Sequence, residues 1–183
     1  MTSSLTRFTP RQRPVASGRA LAAQPAEFIK NYIQAGEAAA AAPFIGVTTN
    51  GAARSGLFPL GSTGAATGAV VAAAEAFLAS LAAEQRTAVV FPVDSDAWRR
   101  WSNIHVYTMR HGVSLEDLSA EQRERALALL GASLSPRGSS AARDVMKLNE
   151  TIGEMTDRFE EYGEWLYWLS VLGTPSGTEP WGW

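Results

Sequence analysis

Two tryptophans, three arginines and an asparagine cluster in the middle of the 183-residue chain. The residues of this cluster are Trp98, Arg99, Arg100, Trp101, Asn103 and Arg110. A guanidinium group stacked on an indole ring can hold a carboxylate or a sugar-like ligand through cation–π contact and paired hydrogen bonds. We therefore predict that Arg99, Trp101 and Asn103 bind substrate. The alternative is that arginine stems pack on surface tryptophans without any ligand.

Acidic and phenolic groups occur nearer the C-terminus, at Glu161, Glu164 and Tyr167. On a helix, Glu164 and Tyr167 would share a face because they are three residues apart. Glu164 can then act as a general base, while Arg110 positions an anionic or carbonyl group. The predicted catalytic residues are Arg110, Glu164 and Tyr167. The alternative is that Arg110 and Glu164 form an ion pair that only stabilises the fold.

The histidine and cysteine content restricts metal chemistry. The chain has two histidines, His105 and His111, and no cysteine, which excludes a thiolate nucleophile and a cysteine-ligated metal. The spacing of the histidines matches no metal-binding motif, and no Gly-x-Ser-x-Gly sequence offers a serine nucleophile. A divalent metal would need ligands from outside this chain, with His105 as a weak candidate ligand here. Solvated or packed histidines are the alternative.

The distribution of charge argues against nucleic acid as a partner. The net charge is −2, and because residues 1–19 hold four arginines and no acid, the rest of the chain carries −6. An acidic body lacks the clustered Lys and Arg that displace counterions from a phosphate backbone. The longest uncharged apolar run, around 65–74, is also too short to span a membrane.

Residues 1–18 are rich in Ser, Thr, Pro and Arg and lack the apolar core of a secretory signal. We predict a basic tail, disordered or strapped onto the body, in a cytoplasmic protein. The same composition is also typical of an organellar transit segment.

Turn and capping signals predict the elements of the N-terminal half. In chain order these are a helix at 25–42, a hairpin or irregular loop pair at 43–60, an alanine-rich helix capped by Thr63 or Thr67 and ending near 81–84, and strands at 87–93 and 98–109. The glycines that precede the alanine-rich helix have neither phosphate-loop nor dinucleotide spacing.

Two further helices are predicted in the C-terminal half. Ser119 and Gln122 form a capping box for a helix that ends near Leu130. Eight apolar residues then recur at alternating steps of three and four, which predicts one continuous amphipathic helix with a buried stripe. The stripe consists of Val145, Leu148, Ile152, Met155, Phe159, Tyr162, Leu166 and Leu169.

These elements together predict a mostly helical α+β domain over residues 19–183, with a long amphipathic C-terminal helix packed against other helices and a small sheet. Four tryptophans near the C-terminus, Trp165, Trp168, Trp181 and Trp183, are expected to form an exposed apolar patch. Such a patch predicts that the chain is not a monomer, and that a second polypeptide or a second copy covers it and completes the fold.

A set of short motifs resembles the N-terminal half of an uncharacterised family, domain of unknown function thirty-five hundred. The motifs are Gly56-Leu57-Phe58, Trp98-Arg99-x-Trp101-x-Asn103, Arg110-x-Gly112-Val113, Gln122-Arg123, Ser133-Leu134-Ser135 with Gly138, Met146-x-Leu148-Asn149, Tyr162-Gly163, Tyr167-Trp168, Gly173-x-Pro175-Ser176 and Pro180-Trp181-Gly182-Trp183. The resemblance extends from about Pro43 to Trp183. It implies a second, strand-rich half with a Gly-His-His segment outside this chain, and it supplies no catalytic residues.

Two functions are compatible with these observations. The first is half of a hydrolase-like enzyme that acts on a small anionic or carbonyl-bearing molecule with the help of a divalent metal. Sequence outside this chain would complete the site of this enzyme. The second is a non-catalytic helical scaffold that docks a partner through its tryptophan-rich end.

Overall fold

The computed structural model describes residues 10–12, 27–44, 48–49, 52–57, 64, 66–101, 111–159 and 161–183. These residues contain five α-helices: α1 (Glu27–Ala41), α2 (Gly68–Ser80), α3 (Ala83–Val89), α4 (Ala120–Ser133) and α5 (Pro136–Thr156). They also contain six two-residue strands: β1 (Thr48–Thr49), β2 (Ala52–Ala53), β3 (Val90–Phe91), β4 (Val113–Ser114), β5 (Trp168–Leu169) and β6 (Val171–Leu172). The predicted class, a mostly helical α+β domain, is confirmed. Of the predicted tail, only residues 10–12 are described, so its boundary stays a prediction.

The strands form three short pairs. β1 and β2 are antiparallel, with Thr48 opposite Ala53, which confirms the predicted hairpin. β3 pairs with β6 in parallel, and β4 pairs with β5 antiparallel. Because a single residue, Ser170, separates β5 from β6, the two pairs are held next to each other. Gly182 bonds back to Leu172 in both directions, so the last residues of the chain lie against β6.

The core lies between α2, α4 and these strand pairs. Phe77 of α2, Leu129 of α4, Val89 at the end of α3 and Val171 of β6 are fully buried. Small residues on α2, such as the fully buried Ala74, let its backbone approach α4 closely. Each large apolar side chain buried in this way stabilises the fold by about 1.5–3 kcal/mol.

Local signals place the starts of α2 and α4 correctly. Ser119 Oγ accepts a hydrogen bond from the Gln122 amide at 3.2 Å, and Gln122 Oε1 accepts one from the Ser119 amide at 2.9 Å, as the capping box predicts. Thr67 occupies the N-cap position of α2, although its side chain makes no capping bond. The predicted end of α4 near Leu130 is three residues short, since the helix continues through Gly131 to Ser133.

The strands predicted at 87–93 and 98–109 are corrected by the structure. Residues up to Val89 belong to helix α3, and only Val90 and Phe91 form a strand. The helix is favoured locally because the Gln85 side chain accepts a hydrogen bond from the Ala82 amide at the helix start. Residues 96–99 form a 3₁₀ turn, whereas 102–110 lie outside the described residues.

The predicted continuous helix from Val145 to Leu169 is wrong. Helix α5 ends at Thr156, and Asp157 adopts a left-handed conformation with φ 60°. The chain then reverses and lies against α5 at Gly153, where an added Cβ would be 3.0 Å from the Tyr162 carbonyl oxygen and 3.1 Å from the Phe159 ring. Glycine favours this close approach, because a Cβ here would push the Tyr162 carbonyl and the Phe159 ring back by a few tenths of an ångström.

This reversal divides the predicted apolar stripe into two groups. Phe159, Leu166 and Leu169 are buried, as predicted, and Tyr162 is half-buried. The four stripe residues on α5 itself are 41–61% exposed; they are Val145, Leu148, Ile152 and Met155. The face of α5 that packs on the domain is instead the one with Met146 and Gly153.

The predicted exposed tryptophan patch is also wrong. Trp165 and Trp181 pack against the hydrophobic core, and Trp181 Nε1 donates to the Ser176 carbonyl oxygen at 2.8 Å. Trp183 is 41% exposed and donates to Ser133 Oγ at 3.1 Å. Trp165 and Trp181 are thus part of the packing of the domain and not of an exposed patch, and the oligomeric state stays a prediction. Among the described helices, none is both long and apolar enough to cross a bilayer.

Candidate functional site

An open cleft of about 600 Å³ lies between α1 and the 3₁₀ turn at 96–99. It is lined by Tyr32, Ile33, Ala35, Gly36, Ala39 and Ala40 of α1, with Phe44, Trp98, Arg99 and Trp101. Its size falls within the range of small-molecule sites, which are mostly apolar with a few polar groups. The cleft thus contains two of the three predicted substrate-binding residues, Arg99 and Trp101.

Aromatic rings dominate the accessible surface of this cleft. Trp101 is 70% exposed, Phe44 is 62% exposed, and Tyr32 and Trp98 are about half exposed. Phe44 meets Trp98 edge to face, with ring centroids 4.8 Å apart, so these two rings are fixed against each other. The Trp101 ring is therefore accessible to a molecule that enters the cleft.

Arg99 fixes the wall of the cleft. Its two terminal nitrogens donate to the carbonyl oxygens of Ala39 and Ala42, each at 2.8 Å, at the C-terminal end of α1. The guanidinium thus donates hydrogen bonds to carbonyl groups that a helix end leaves unpaired. Its positive charge also interacts favourably with the negative end of the helix dipole. Arg100 adds an ion pair with Glu37 of α1. Arg99 therefore holds α1 against the turn, and contact with a substrate stays a prediction.

The other predicted ligand-binding residues follow Trp101 directly. Asn103, His105 and Arg110 lie outside the described residues, so their predicted roles in substrate binding, metal binding and catalysis stay predictions. Among the described residues, no group of three or more side chains could hold a metal ion.

Within the described residues, Glu164 has an ion-pair partner other than the predicted Arg110. It forms an ion pair with Arg143 of α5, and both side chains are about one-quarter exposed. Its amide also donates to Glu150 Oε2 at 2.9 Å. The Arg143 guanidinium lies 4.7 Å from the centre of the Trp165 ring, which completes a cluster that ties the reversed chain to α5. No sequence signal singles out Arg143, since the two residues are brought together by the chain reversal.

Tyr167 does not share a helix face with Glu164, because residues 163–167 form no helix. Its backbone carbonyl accepts a hydrogen bond from the Leu115 amide at 2.9 Å, which places it beside β4. Burial raises the pKa of the Tyr167 phenol, so the group stays protonated at neutral pH. The predicted catalytic role of Tyr167 stays a prediction.

His111 forms a polar contact that the sequence does not predict. Its Nδ1 lies 2.7 Å from Ser170 Oγ, and this hydroxyl donates to the His111 carbonyl oxygen at 3.1 Å. A hydroxyl has one proton, so the tautomer of the imidazole decides which of Nδ1 and Ser170 Oγ donates across the shorter contact. Within the described residues, Nε2 is buried without a hydrogen-bond partner, and the ring meets Phe91 edge to face with the ring centroids 5.5 Å apart.

Burial lowers the pKa of the His111 imidazole below its ordinary value of 6.5. The backbone of Arg100 opposes this shift, and the charge of the Arg100 guanidinium adds to it. The folded protein therefore holds His111 neutral at neutral pH.

The lowered pKa of His111 predicts a pH dependence of stability. Below pH 6.5 the unfolded chain binds a proton at this residue more readily than the folded protein, so the free energy of unfolding falls as the pH drops from 6.5 towards the lower folded-state pKa. Urea denaturation between about pH 7.5 and pH 5.5 measures this slope. The slope should be smaller in His111→Gln and retained in Ser170→Ala, which keeps the imidazole. An equal slope in His111→Gln and the parent would contradict the assignment.

The fold and the cleft define a mostly helical α+β domain with an aromatic site. Comparison with family models matches residues 63–183 to the family described as Protein of unknown function (DUF3500). The chain therefore belongs to this family, and the match includes Trp98, Arg99 and Trp101 of the cleft but not α1. Comparisons with curated proteins and with solved structures find no match.

Proposed function

We propose that this domain binds a small organic molecule in the cleft between α1 and the 3₁₀ turn. The observation that carries the proposal is the aromatic lining of a cleft of about 600 Å³. When a ligand covers an exposed aromatic side chain, apolar surface is removed from water, which favours binding. Aromatic rings also favour stacking. A tryptophan that only stabilised the fold would not need to be 70% exposed, as Trp101 is.

The lining also indicates the class of ligand. Small residues of α1, namely Ala35, Gly36 and Ala39, face the aromatic side and leave room for a flat molecule. Charge is scarce, because the Arg99 guanidinium donates to backbone carbonyl groups of α1. The cleft therefore suits a ligand with a planar or apolar ring face better than a highly charged one.

The cleft fits the enzyme hypothesis as its substrate-binding part. In that proposal three residues within nine positions after Trp101 take part: Asn103 binds substrate, Arg110 acts in catalysis and His105 is a candidate metal ligand. A second polypeptide or a second copy would complete the site of a cytoplasmic, metal-dependent, hydrolase-like enzyme. Glu164 has less support as a base, because Arg143 already neutralises it.

The scaffold hypothesis has less support in its original form. It placed the docking surface at the tryptophan-rich end, where Trp165 and Trp181 now pack against the core. At that end Trp183, which is 41% exposed, is the tryptophan that a partner could reach most easily.

Trp101→Ala is expected to weaken ligand binding about tenfold or more, because a stacked ring and its buried area are both lost. Ligand-detected NMR with indole, benzoate and a methyl glycoside as probes measures the dissociation constants. Trp183→Ala is the matched control, since Trp183 is also exposed but does not line the cleft. Equal affinity in Trp101→Ala and the parent, or no binding of any probe by the parent, would contradict the proposal.

A further inference from the structure

Helix α1 packs on the domain most closely at its C-terminal end. Ala40 is 5% exposed, and among the α1 side chains that the structure describes it is the buried one. Gly36 and Ile33 lie one and two turns earlier on the same face of the helix and are only partly buried. The burial of this face therefore decreases from the C-terminal end of α1 towards its N-terminal end.

The polar contacts between α1 and the turn at 96–99 lie at the same end. The Arg99 guanidinium donates to the carbonyl oxygens of Ala39 and Ala42, each at 2.8 Å. The next residue, Arg100, forms an ion pair with Glu37. Hydrogen bonds from a charged donor are stronger than neutral ones, and the two bonds from one rigid guanidinium also fix the direction of the helix end. These contacts pin the last two turns of α1.

The N-terminal half of α1 lacks such anchors within the part of the chain that the structure describes. Its described ion pair, between Lys30 and Glu27, lies within the helix itself. Tyr32 and Ile33 line the open cleft. An isolated helix of about 15 residues is only marginally stable in water, and Gly36 lowers the helix propensity further. The order of this half of α1 thus depends on what packs against it.

A ligand in the cleft would supply that packing. Trp101 belongs to the side of the cleft that follows the 3₁₀ turn, whereas Tyr32 and Ile33 come from α1. A molecule that stacks on Trp101 and also contacts α1 stabilises the arrangement in which the two sides are close. Such coupling is reciprocal, so whatever holds α1 in place also strengthens the binding of the ligand.

From these contacts we propose that α1 is a movable wall of the cleft. Its C-terminal end is pinned through Arg99, and its N-terminal half closes on a bound ligand. Arg99 is thereby a positioning residue, because it acts on the ligand through α1. The closure on a ligand rests on the proposed function, whereas the pinning by Arg99 does not.

Hydrogen exchange of the full chain, followed by mass spectrometry, tests the pinning without any ligand. Arg99→Lys keeps the charge but loses the rigid fork that bonds two carbonyl oxygens, so the amides of α1 should exchange about fivefold or more faster than in the parent. Glu37→Gln, which removes the ion pair with Arg100, should also accelerate them. The amides of α4 should be unchanged in both variants. Arg125→Lys is the matched control, because Arg125 pairs with Glu121 within α4.

The same measurement with saturating indole tests the closure. In the parent, indole should slow the exchange of the amides of residues 29–35 about threefold or more. Arg99→Lys should bind indole about threefold or more weakly by ligand-detected NMR, because less of the protein has α1 in the closed position. Trp101→Ala should lose affinity for indole but keep the α1 exchange rates of the ligand-free parent. This pair of variants separates stacking on the ligand from positioning of the wall.

Unchanged α1 exchange in both Arg99→Lys and Glu37→Gln would overturn the proposal. An acceleration that extends equally to α4 would also overturn it, because Arg99 would then stabilise the whole fold and not α1. Indole that binds without slowing the exchange of α1 would contradict the closure. If no probe binds the parent, the proposed function and the closure both fail, whereas the ligand-free exchange of Arg99→Lys still decides the pinning.

Discussion

Gly112→Ala is expected to destabilise the folded protein by more than about 4 kcal/mol, enough to unfold a typical domain. Gly112 has φ +87°, and an added Cβ would overlap the Leu169 carbonyl oxygen and Ser170 Oγ and lie 2.8 Å from the Leu169 carbonyl carbon. The obstacle is backbone of β5, which cannot move without breaking the β4–β5 pair. The same shift would separate His111 from Ser170. Urea denaturation followed by circular dichroism measures the loss.

Gly56→Ala is the matched control for this prediction. Gly56 also has a positive φ, +74°, but no heavy atom lies within 4 Å of the Cβ that would be added. Only the strain of a left-handed backbone applies there, about 1–2 kcal/mol. If Gly112→Ala and Gly56→Ala lose similar amounts of stability, the close approach of β4 to β5 is not as the structure describes it.

The second large effect is expected for Phe159→Ala, at about 3–5 kcal/mol. Phe159 is 2% exposed and lies against Gly153, where it fastens the reversed chain to α5. Removing the ring leaves a cavity beside Gly153, which has no side chain to fill it. The free energy of unfolding from a urea titration, compared with that of the parent, gives the value.

Ile152→Ala is the matched control, with an expected loss below about 1 kcal/mol. The sequence pattern placed Ile152 and Phe159 in one buried stripe, in which truncation of either residue to alanine would cost about 2–5 kcal/mol. Ile152 is 41% exposed on the outer side of α5, so its truncation removes little buried surface. Similar large losses in both variants would favour the continuous buried helix over the reversal after Thr156.

The sequence by itself determined the features that depend on near neighbours. The capping box of Ser119 and Gln122 needs only residues three apart, and it appears with the bonds that the pattern predicts. The helix at α1 and the hairpin at β1 and β2 were likewise marked by proline and by turn residues. The aromatic and arginine cluster around Trp101 was also recognised from residue types alone. For the capping box, the helix and the hairpin, the physical cause is a short-range bond or a dihedral preference.

The tertiary structure decided where the apolar stripe is buried. Periodicity shows that Val145 and Phe159 are apolar at helical spacing, but it does not show which surface covers them. The close packing of Tyr162 and Phe159 on Gly153 ends α5 and turns the chain back, which leaves Val145 exposed and Phe159 buried. Gly153 would slightly weaken an isolated helix. In the folded protein it is the position at which the reversed chain contacts α5.

The partners within the candidate site were decided by the tertiary structure as well. Arg99 bonds to Ala42, which is 57 positions away, and Glu164 pairs with Arg143, which is 21 positions away. Charged groups choose partners by distance and desolvation in the folded state, and neither quantity can be read from spacing along the chain. The residue types therefore predicted a cluster able to bind a ligand, whereas packing assigned Arg99 to the end of α1 and left Trp101 open in the cleft.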